Sequence, residues 1–418
     1  MRKSLVFTTI AATFLMLGTE AEALTLSEAV NLAINNNPSL IQTQKSINSA
    51  AEDLKVARGS KGVTVSLSGS VDADKTEGTS DSESASARIT GSIPLYTGGR
   101  LEADIKAASL SLDIASLDYL QAKDDLVYQV ATAYVDALEA KATNAVDVET
   151  RNNLADHEEL IGNLYDAGAK AKIDLLRAQV ETANARQEVS KSQANYEISL
   201  TKLANLLSLD AINNLEVEDF SPADESLDLE ECLSTAIQQR NDLKADELKI
   251  QRADEEITSA KSGWKPSLNA SAGTGFNARS KKWDPTSDAT AGISASWSIF
   301  DSDITRAKVD KAKIESEQLQ LALQSDIEAV NRDVISAYKN LAAALVRIKS
   351  TEESVKLAEE ERFIATERYL AGEGILLDVL DAEVALKTAR KNHVSAKYDV
   401  IRYRFELAHA MGVTMNNS

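Results

Sequence analysis

Ala85-Ser86-Ala87-Arg88-Ile89-Thr90-Gly91-Ser92-Ile93-Pro94-Leu95 alternates apolar and polar side chains, and from Leu101 to Tyr165 the chain then runs without a proline. Alternation with period two puts successive side chains on opposite faces of a strand. A strand of about 10 to 13 residues is long enough to span a bilayer at the usual tilt. The proline-free stretch predicts one helix of ~65 residues, roughly 100 Å long. A membrane-length strand that runs directly into such a helix decides the fold class, and the order occurs twice.

The two halves align at nearly constant offset. Tyr165-Asp-Ala-Gly168 returns as Tyr369-Leu-Ala-Gly372, Asp174 matches Asp378, Ala178 matches Ala382, and Ala185-Arg186 matches Ala389-Arg390. Upstream, Leu95-Tyr96 aligns with Ile299-Phe300 and Leu24 with Leu227. A fixed long period marks an internal repeat, read before any single element. The expected organisation is a signal peptide at 1–23, repeat one at 24–212, a linker at 213–228 containing Pro222, repeat two at 229–414 and a tail at 415–418. Each repeat should hold a short helix, a second helix, two strands, a very long helix and a return helix. Asn37-Pro38 is expected to stop the first short helix.

The strands are expected near 63–72, 85–95, 267–277 and 288–300. Val63, Val65, Leu67 and Val71 alternate with Thr64, Ser66, Ser68 and Asp72, and Ala289, Ala291, Ile293, Ala295, Trp297 and Ile299 repeat the pattern. The connection Asp72 to Glu83 carries five acids against Lys75 alone, which suits an extracellular loop. Trp264, Trp283 and Trp297 lie in or beside the second hairpin, as an aromatic girdle would.

In the second long helix Val330, Val334, Ala337, Leu341, Ala344 and Ile348 follow a 4-3-4-3-4 spacing, with Leu126, Val130, Ala133, Ala137 and Ala140 as the counterpart. That spacing is a coiled-coil seam. Alanine off the seam lets each helix meet neighbours on two sides, which favours a cylinder of helices. Gly168 and Gly372 mark the reversals, where glycine suits the position just past a helix end. Asp174 and Asp378 open the return helices, where the helix dipole favours a carboxylate.

Composition excludes other classes. Met1-Arg2-Lys3, the apolar run Leu5 to Gly18 and Ala21-Glu22-Ala23 predict a secretory leader, with the mature chain starting near Leu24. The net charge of -20 argues against nucleic acid, which calls for a basic stripe. Cys232, the single cysteine, rules out an internal disulfide. His157, His393 and His409 lack ligand spacing, and no catalytic or phosphate-loop motif is present, so neither metal, cofactor nor enzymatic activity is expected. Four strands cannot close a barrel, and unpaired edges in lipid cost several kcal/mol per group. Several chains must pool strands; eight, twelve or sixteen are all physically allowed. The rival reading is an exported coiled-coil stalk or adhesin, which leaves the four alternating strands unexplained.

Leu95-Tyr-Thr-Gly-Gly-Arg100 leading into the long helix, the paired Tyr-x-Ala-Gly turns, Asp378-Val-Leu-Asp381-Ala382 and the repeat itself together resemble the TolC family of outer-membrane efflux and type I secretion proteins. The resemblance covers nearly the whole mature chain. It implies a mainly α fold with a β-barrel: a homotrimer whose twelve-stranded transmembrane barrel in outer-membrane lipid continues as a periplasmic α-helical barrel. It implies a duct that works with a periplasmic adaptor protein and an inner-membrane transporter. By position it implies a periplasmic aperture formed by Asp174, Tyr369, Asp378 and Asp381. Tyr369 would face Asp174 in a polar link whose loss loosens the tip. Asp378 and Asp381 would form carboxylate rings that attract cations. The tip turns Ala167-Gly168-Ala169 and Ala371-Gly372-Glu373 would meet the adaptor. Two family positions differ: Gly374 stands in place of an arginine and Ile173 in place of its threonine partner, with Lys170 and Lys172 as possible substitutes. The second copy of Gly98-Gly99 reads Ser302-Asp303, so that junction is expected to need no glycine.

Overall fold

The computed structural model describes residues 24–74, 82–209, 217–218, 228–279 and 285–413. The expected leader, most of the 213–228 linker with Pro222, the stretch 75–81, Trp283 and the 415–418 tail lie outside the described residues.

The first half comprises α1 (Leu26–Asn36), α2 (Pro38–Gly59), β1 (Thr64–Asp74), β2 (Ser82–Tyr96), α3 (Arg100–Asp166) and α4 (Lys172–Leu206). The second comprises α5 (Leu229–Gln239), α6 (Asn241–Lys261), β3 (Ser267–Arg279), β4 (Thr286–Ser296), α7 (Ile304–Leu370) and α8 (Leu376–Ala410). Both α3 and α7 have 67 residues, and both α4 and α8 have 35. At 1.5 Å per residue the long helices reach about 100 Å.

Local chemistry starts the helices where the sequence suggests. Thr25 and Glu28 form a reciprocal capping box on α1. Asn37 ends α1 and also caps α2, its Oδ1 accepting from the Ser39 N–H at 3.0 Å with Pro38 in the first turn. The Tyr134 hydroxyl donates to the Leu24 carbonyl at 2.6 Å and accepts from the Glu218 N–H at 2.9 Å. One phenol thus ties the start of the described chain and the inter-repeat segment to the middle of α3.

Each long helix is flanked along its length by two shorter ones. α2 and then α4 pack against α3, while α6 and then α8 pack against α7. The chain therefore presents four helices at either level, beneath four strands. The seam residues are where heptad spacing puts them: Val130, Val334 and Ala337 are fully buried. A central cluster joins α1, α3, α4 and α8 around Tyr134, Val130 and Phe405, and a second joins α5, α7 and α8 around Cys232 and Val334.

An ion-pair ladder also holds α3 to α8. Asp147 of α3, almost wholly buried, lies 2.7 Å from Lys391 and 3.7 Å from Lys387. Arg402 bridges Asp136 and Glu139 at 2.8 and 2.7 Å, and Arg390 joins Glu149 and Glu359 at 2.7 and 2.8 Å. Burial works against the Arg402 charge, but its bonds to Glu139 and Asp136 outweigh this and push its pKa further up.

The strands form one antiparallel sheet in the order β1-β2-β3-β4. One face carries Val65, Leu67, Ile89, Phe276 and Ile293, all at least half exposed in the single chain. The other carries Ser66, Ser68, Arg88, Thr90, Asn269 and Ser271, as the pleat requires. β4 ends at Ser296 and does not reach residue 300 as expected. Its partner β3 begins at Ser267, after the 3₁₀ turn Ser262–Trp264, so residues past Ser296 have nothing to pair with. Trp297 instead donates its indole N–H to the Trp264 carbonyl at 3.0 Å, and Ile299 and Phe300 stand exposed beyond the sheet.

The Ser302-Asp303 junction also departs from expectation. Both residues are left-handed, with φ of 55° and 63°, as Gly98 and Gly99 are with φ of 70° and 94°. The turn into α7 needs the same backbone shape as the turn into α3, so the second copy bears a strain of roughly 1 kcal/mol per residue that glycine would avoid.

Candidate functional site: the helical tip

The far end of the helices is built by two matching reversals. At the end of α3 the Ala169 N–H donates to the Leu164 carbonyl at 2.8 Å and the Gly168 N–H to Tyr165 at 2.9 Å. At the end of α7 the Glu373 N–H donates to Arg368 at 2.9 Å and the Gly372 N–H to Tyr369 at 3.2 Å. This paired bonding is the Schellman arrangement, and it requires the left-handed φ of 74° at Gly168 and 77° at Gly372. Both turns expose Ala167, Gly168, Ala371, Gly372 and Glu373, with Ala169 also at the surface.

Inside the turns the two hairpins share a small core of Ile161, Ala178, Tyr369, Leu376 and Val379. Tyr369 is 1% exposed. The structure places it close enough to Asp174 for the carboxylate to act on it, but no hydrogen bond joins them. The Tyr369 hydroxyl is buried without a partner in the chain. Burial first, and the Asp174 charge second, push its pKa above the usual phenol range. The Lys170 ammonium lies 3.9 Å from the ring centroid, within cation–π range. His157 of α3 packs against the same ring with centroids 5.7 Å apart. Burial lowers its imidazole pKa below the usual range. In place of the expected polar link stands a tilted aromatic pair capped by a lysine. Sequence reading missed His157 here, because nothing in the sequence brings position 157 opposite position 369.

Asp378 and Asp381 are exposed, one turn apart on α8, and line a groove of about 560 Å³ with Glu360, Glu361, Ile364 and Arg368. The groove gathers four carboxylates around one guanidinium. Arg368 reaches the Glu373 carbonyl at 3.4 Å. Gly374 has a packing reason to lack a side chain. A Cβ there would come within 3.1 Å of the Tyr369 nitrogen and 3.3 Å of the Arg368 Cβ. Ile173, where the resemblance expects a threonine, is more than half exposed.

No group of described residues has the side chains to hold a metal ion, and no described helix is long and apolar enough to cross a membrane. The sheet is the described part with membrane dimensions.

Comparison with known proteins agrees with this geometry. A family model described as outer membrane efflux protein matches residues 29–208 and 232–413, both halves of the chain. The Outer membrane protein TolC of Escherichia coli (strain K12) is 25% identical over 363 residues, covering 81% of this chain and 70% of that protein. Protein CyaE of Bordetella pertussis is 24% identical over 381 residues, covering 89% of this chain and 80% of that protein. Among solved structures, the outer membrane protein VceC of Vibrio cholerae superposes with a TM-score of 0.81 at 18% identity, over 94% of this chain and 97% of that one. With both halves matched and the fold shared end to end, the chain belongs to the outer membrane efflux protein family, channels and not enzymes, and is an outer-membrane duct of a tripartite export system that extends into the periplasm.

Proposed function

We propose that three copies of this chain form the duct, pooling four strands each into a twelve-stranded barrel and four helices each, at either level, into a helical tube. The observation that carries this is the mismatch between the sheet and its setting. The sheet has a lipid-suited face, yet β1 and β4 each leave one edge unpaired in the single chain, which a bilayer does not tolerate. The apolar residues left bare along the helices point the same way. Val346, Leu357 and Phe363 are each more than 60% exposed, and such positions suit contact with neighbouring copies. The stalk reading accounts for neither the open edges nor the apolar sheet face.

In this reading the tip turns Ala167-Gly168-Ala169 and Ala371-Gly372-Glu373 meet a periplasmic adaptor, which couples the duct to an inner-membrane transporter. The transporter supplies the energy; this chain performs no chemistry and carries no cofactor. Asp174 and Tyr369 belong to the closed tip. Asp378 and Asp381, repeated in three chains, form an acidic aperture that holds cations.

The test is the mass of the detergent-extracted particle, corrected for bound detergent, with single-channel recording on the same sample. A conducting trimer is expected; a soluble monomer or dimer without conductance would hand the case to the stalk. Asp378→Ala with Asp381→Ala should leave assembly intact and weaken block by divalent cations. Unchanged block in planar bilayers would remove the carboxylate rings from the aperture.

A further inference from the structure

The polar face of the sheet contains an ion pair that the tip does not explain. Arg88 on β2 pairs in register with Gly275 on β3, and Gly275 pairs with Asp288 on β4. Arg88 therefore reaches across an entire strand, and its Nη2 meets the Asp288 carboxylate at 2.6 Å. Its Nη1 lies 3.5 Å from the Thr290 hydroxyl. Strands two apart are separated by about 9.6 Å, so the side chain must lie flat to span the gap. The glycine is what permits it. A Cβ on Gly275 would sit 3.3 Å from both the Arg88 Cζ and Nη2.

The row continues to Ser68 on β1, which pairs with Arg88. On the helical side of this row the same face carries Ser66, Thr90, Gly273 and Thr290, then Thr64, Ser92, Ser271 and Gly292, all uncharged. Beyond it, toward the loops, come the uncharged row Ser70, Ser86, Asn277 and Thr286 and then the row Asp72, Ser84 and Arg279. Arg88 and Asp288 are thus the charges set deepest into this face among the described residues. Both side chains remain 37% exposed. The second Asp288 oxygen, Oδ1, is buried without a partner in the chain. In a barrel whose apolar face meets lipid, the polar face lines the lumen.

We propose that Asp288 sets the charge preference of the barrel lumen by pinning Arg88 flat against the wall and offsetting its positive charge. Without that carboxylate the guanidinium, a fork of donors matched to carboxylates and phosphates, faces the lumen as a fixed cation and favours anionic solutes. The proposal rests on the duct reading above, since it requires this face to line the lumen. Asp288 is a positioning residue for Arg88, and Gly275 is the floor that lets the pair form.

A reporter thiol in the same row reads the local potential without depending on the tip. Ser68→Cys in the reconstituted protein is labelled from the outside with methanethiosulfonates bearing either a sulfonate or a trimethylammonium group. Cys232 is buried and stays silent. With Asp288→Asn added, the sulfonate reagent should react about threefold faster and the ammonium reagent about threefold slower, the effect of one unit charge ~7 Å away in a water-like medium. Arg88→Gln should move both rates the opposite way, and the double variant should return near the Ser68→Cys parent. Rates unmoved in the single variants, or shifted alike for both reagents, overturn the proposal. If Asp288→Asn does not assemble, the Arg88→Gln rates decide alone. Single-channel recording on the Ser68→Cys parent keeps the two readings apart. A parent that does not conduct sinks the duct, whereas a conducting parent with unmoved rates removes only the role of the pair.

Discussion

Tyr369→Phe is expected to leave the tip closed, and Tyr369→Ala to open it. The reasoning starts from the hydroxyl, which is buried without a partner in the chain while the ring is 1% exposed. An unmade hydrogen bond of a buried group costs about 1–3 kcal/mol. Phenylalanine deletes that cost and keeps the ring volume, the His157 contact and the seat for Lys170. Alanine removes the ring from among Ile161, Ala178, Leu376 and Val379, a loss of about 3–5 kcal/mol. The two variants should therefore differ by 3 kcal/mol or more. At about 1.4 kcal/mol per factor of ten, the alanine tip opens at least a hundredfold more often than the phenylalanine tip. Single-channel conductance measures the opening, and hydrogen exchange over 160–180 and 366–382 locates it. A phenylalanine variant that conducts like the alanine variant would refute the argument. It would mean that the hydroxyl holds the tip through a bond, as the family resemblance alone suggests.

Other predictions concern strain, charge and protonation. Ser302→Gly with Asp303→Gly should stabilise the junction by about 1–2 kcal/mol, since both positions have left-handed φ; slower thermal dissociation of the assembly would show it, and no change would mean the junction carries no strain. Asp147→Ala should free Lys387 and Lys391 and loosen α3 from α8 by about 2–4 kcal/mol, visible as faster exchange in 140–155 and 384–394, while protection equal to the parent would remove the ladder from the stability of this region. His157 is held neutral by burial, so its folded pKa lies below its unfolded value. Protons then favour the loosened state, and the tip should weaken as pH falls below the unfolded value of about 6.5. The group packed against His157 is the Tyr369 ring, which Lys170 caps and Asp174 acts on, and Glu158 and Glu159 follow it on its own helix. His157→Gln should abolish the acid-side rise in conductance, and a rise that persists in this variant assigns it to the carboxylates instead.

Much of the fold was legible because it follows from periodicity. Strand alternation, the proline-free runs and the heptad seam are local properties, and each specifies an element and the face that element buries. The repeat then placed the elements in matched order, and the glycines at 168 and 372 marked the reversals through a conformation that side chains disfavour. The end of β4 was not legible. Trp297 and Ile299 continue the alternation, yet pairing stops where β3 stops, and a strand exists only as long as its neighbour does.

Long helices and membrane-length strands, in the same order in both halves, are readable from the residues alone, because backbone sterics and side-chain period act within a few residues. The chain's four strands, too few to close a barrel, are what the proposed pooling of several copies rests on. Contacts between residues far apart in sequence came from the folded chain. It set His157 and Lys170 against Tyr369 without the expected bond to Asp174, it brought Asp147 between two lysines of α8, and it laid Arg88 across Gly275 onto Asp288. Those pairings depend on register, helix rotation and the space left by a missing side chain, which are settled jointly by packing and by no single stretch of the chain.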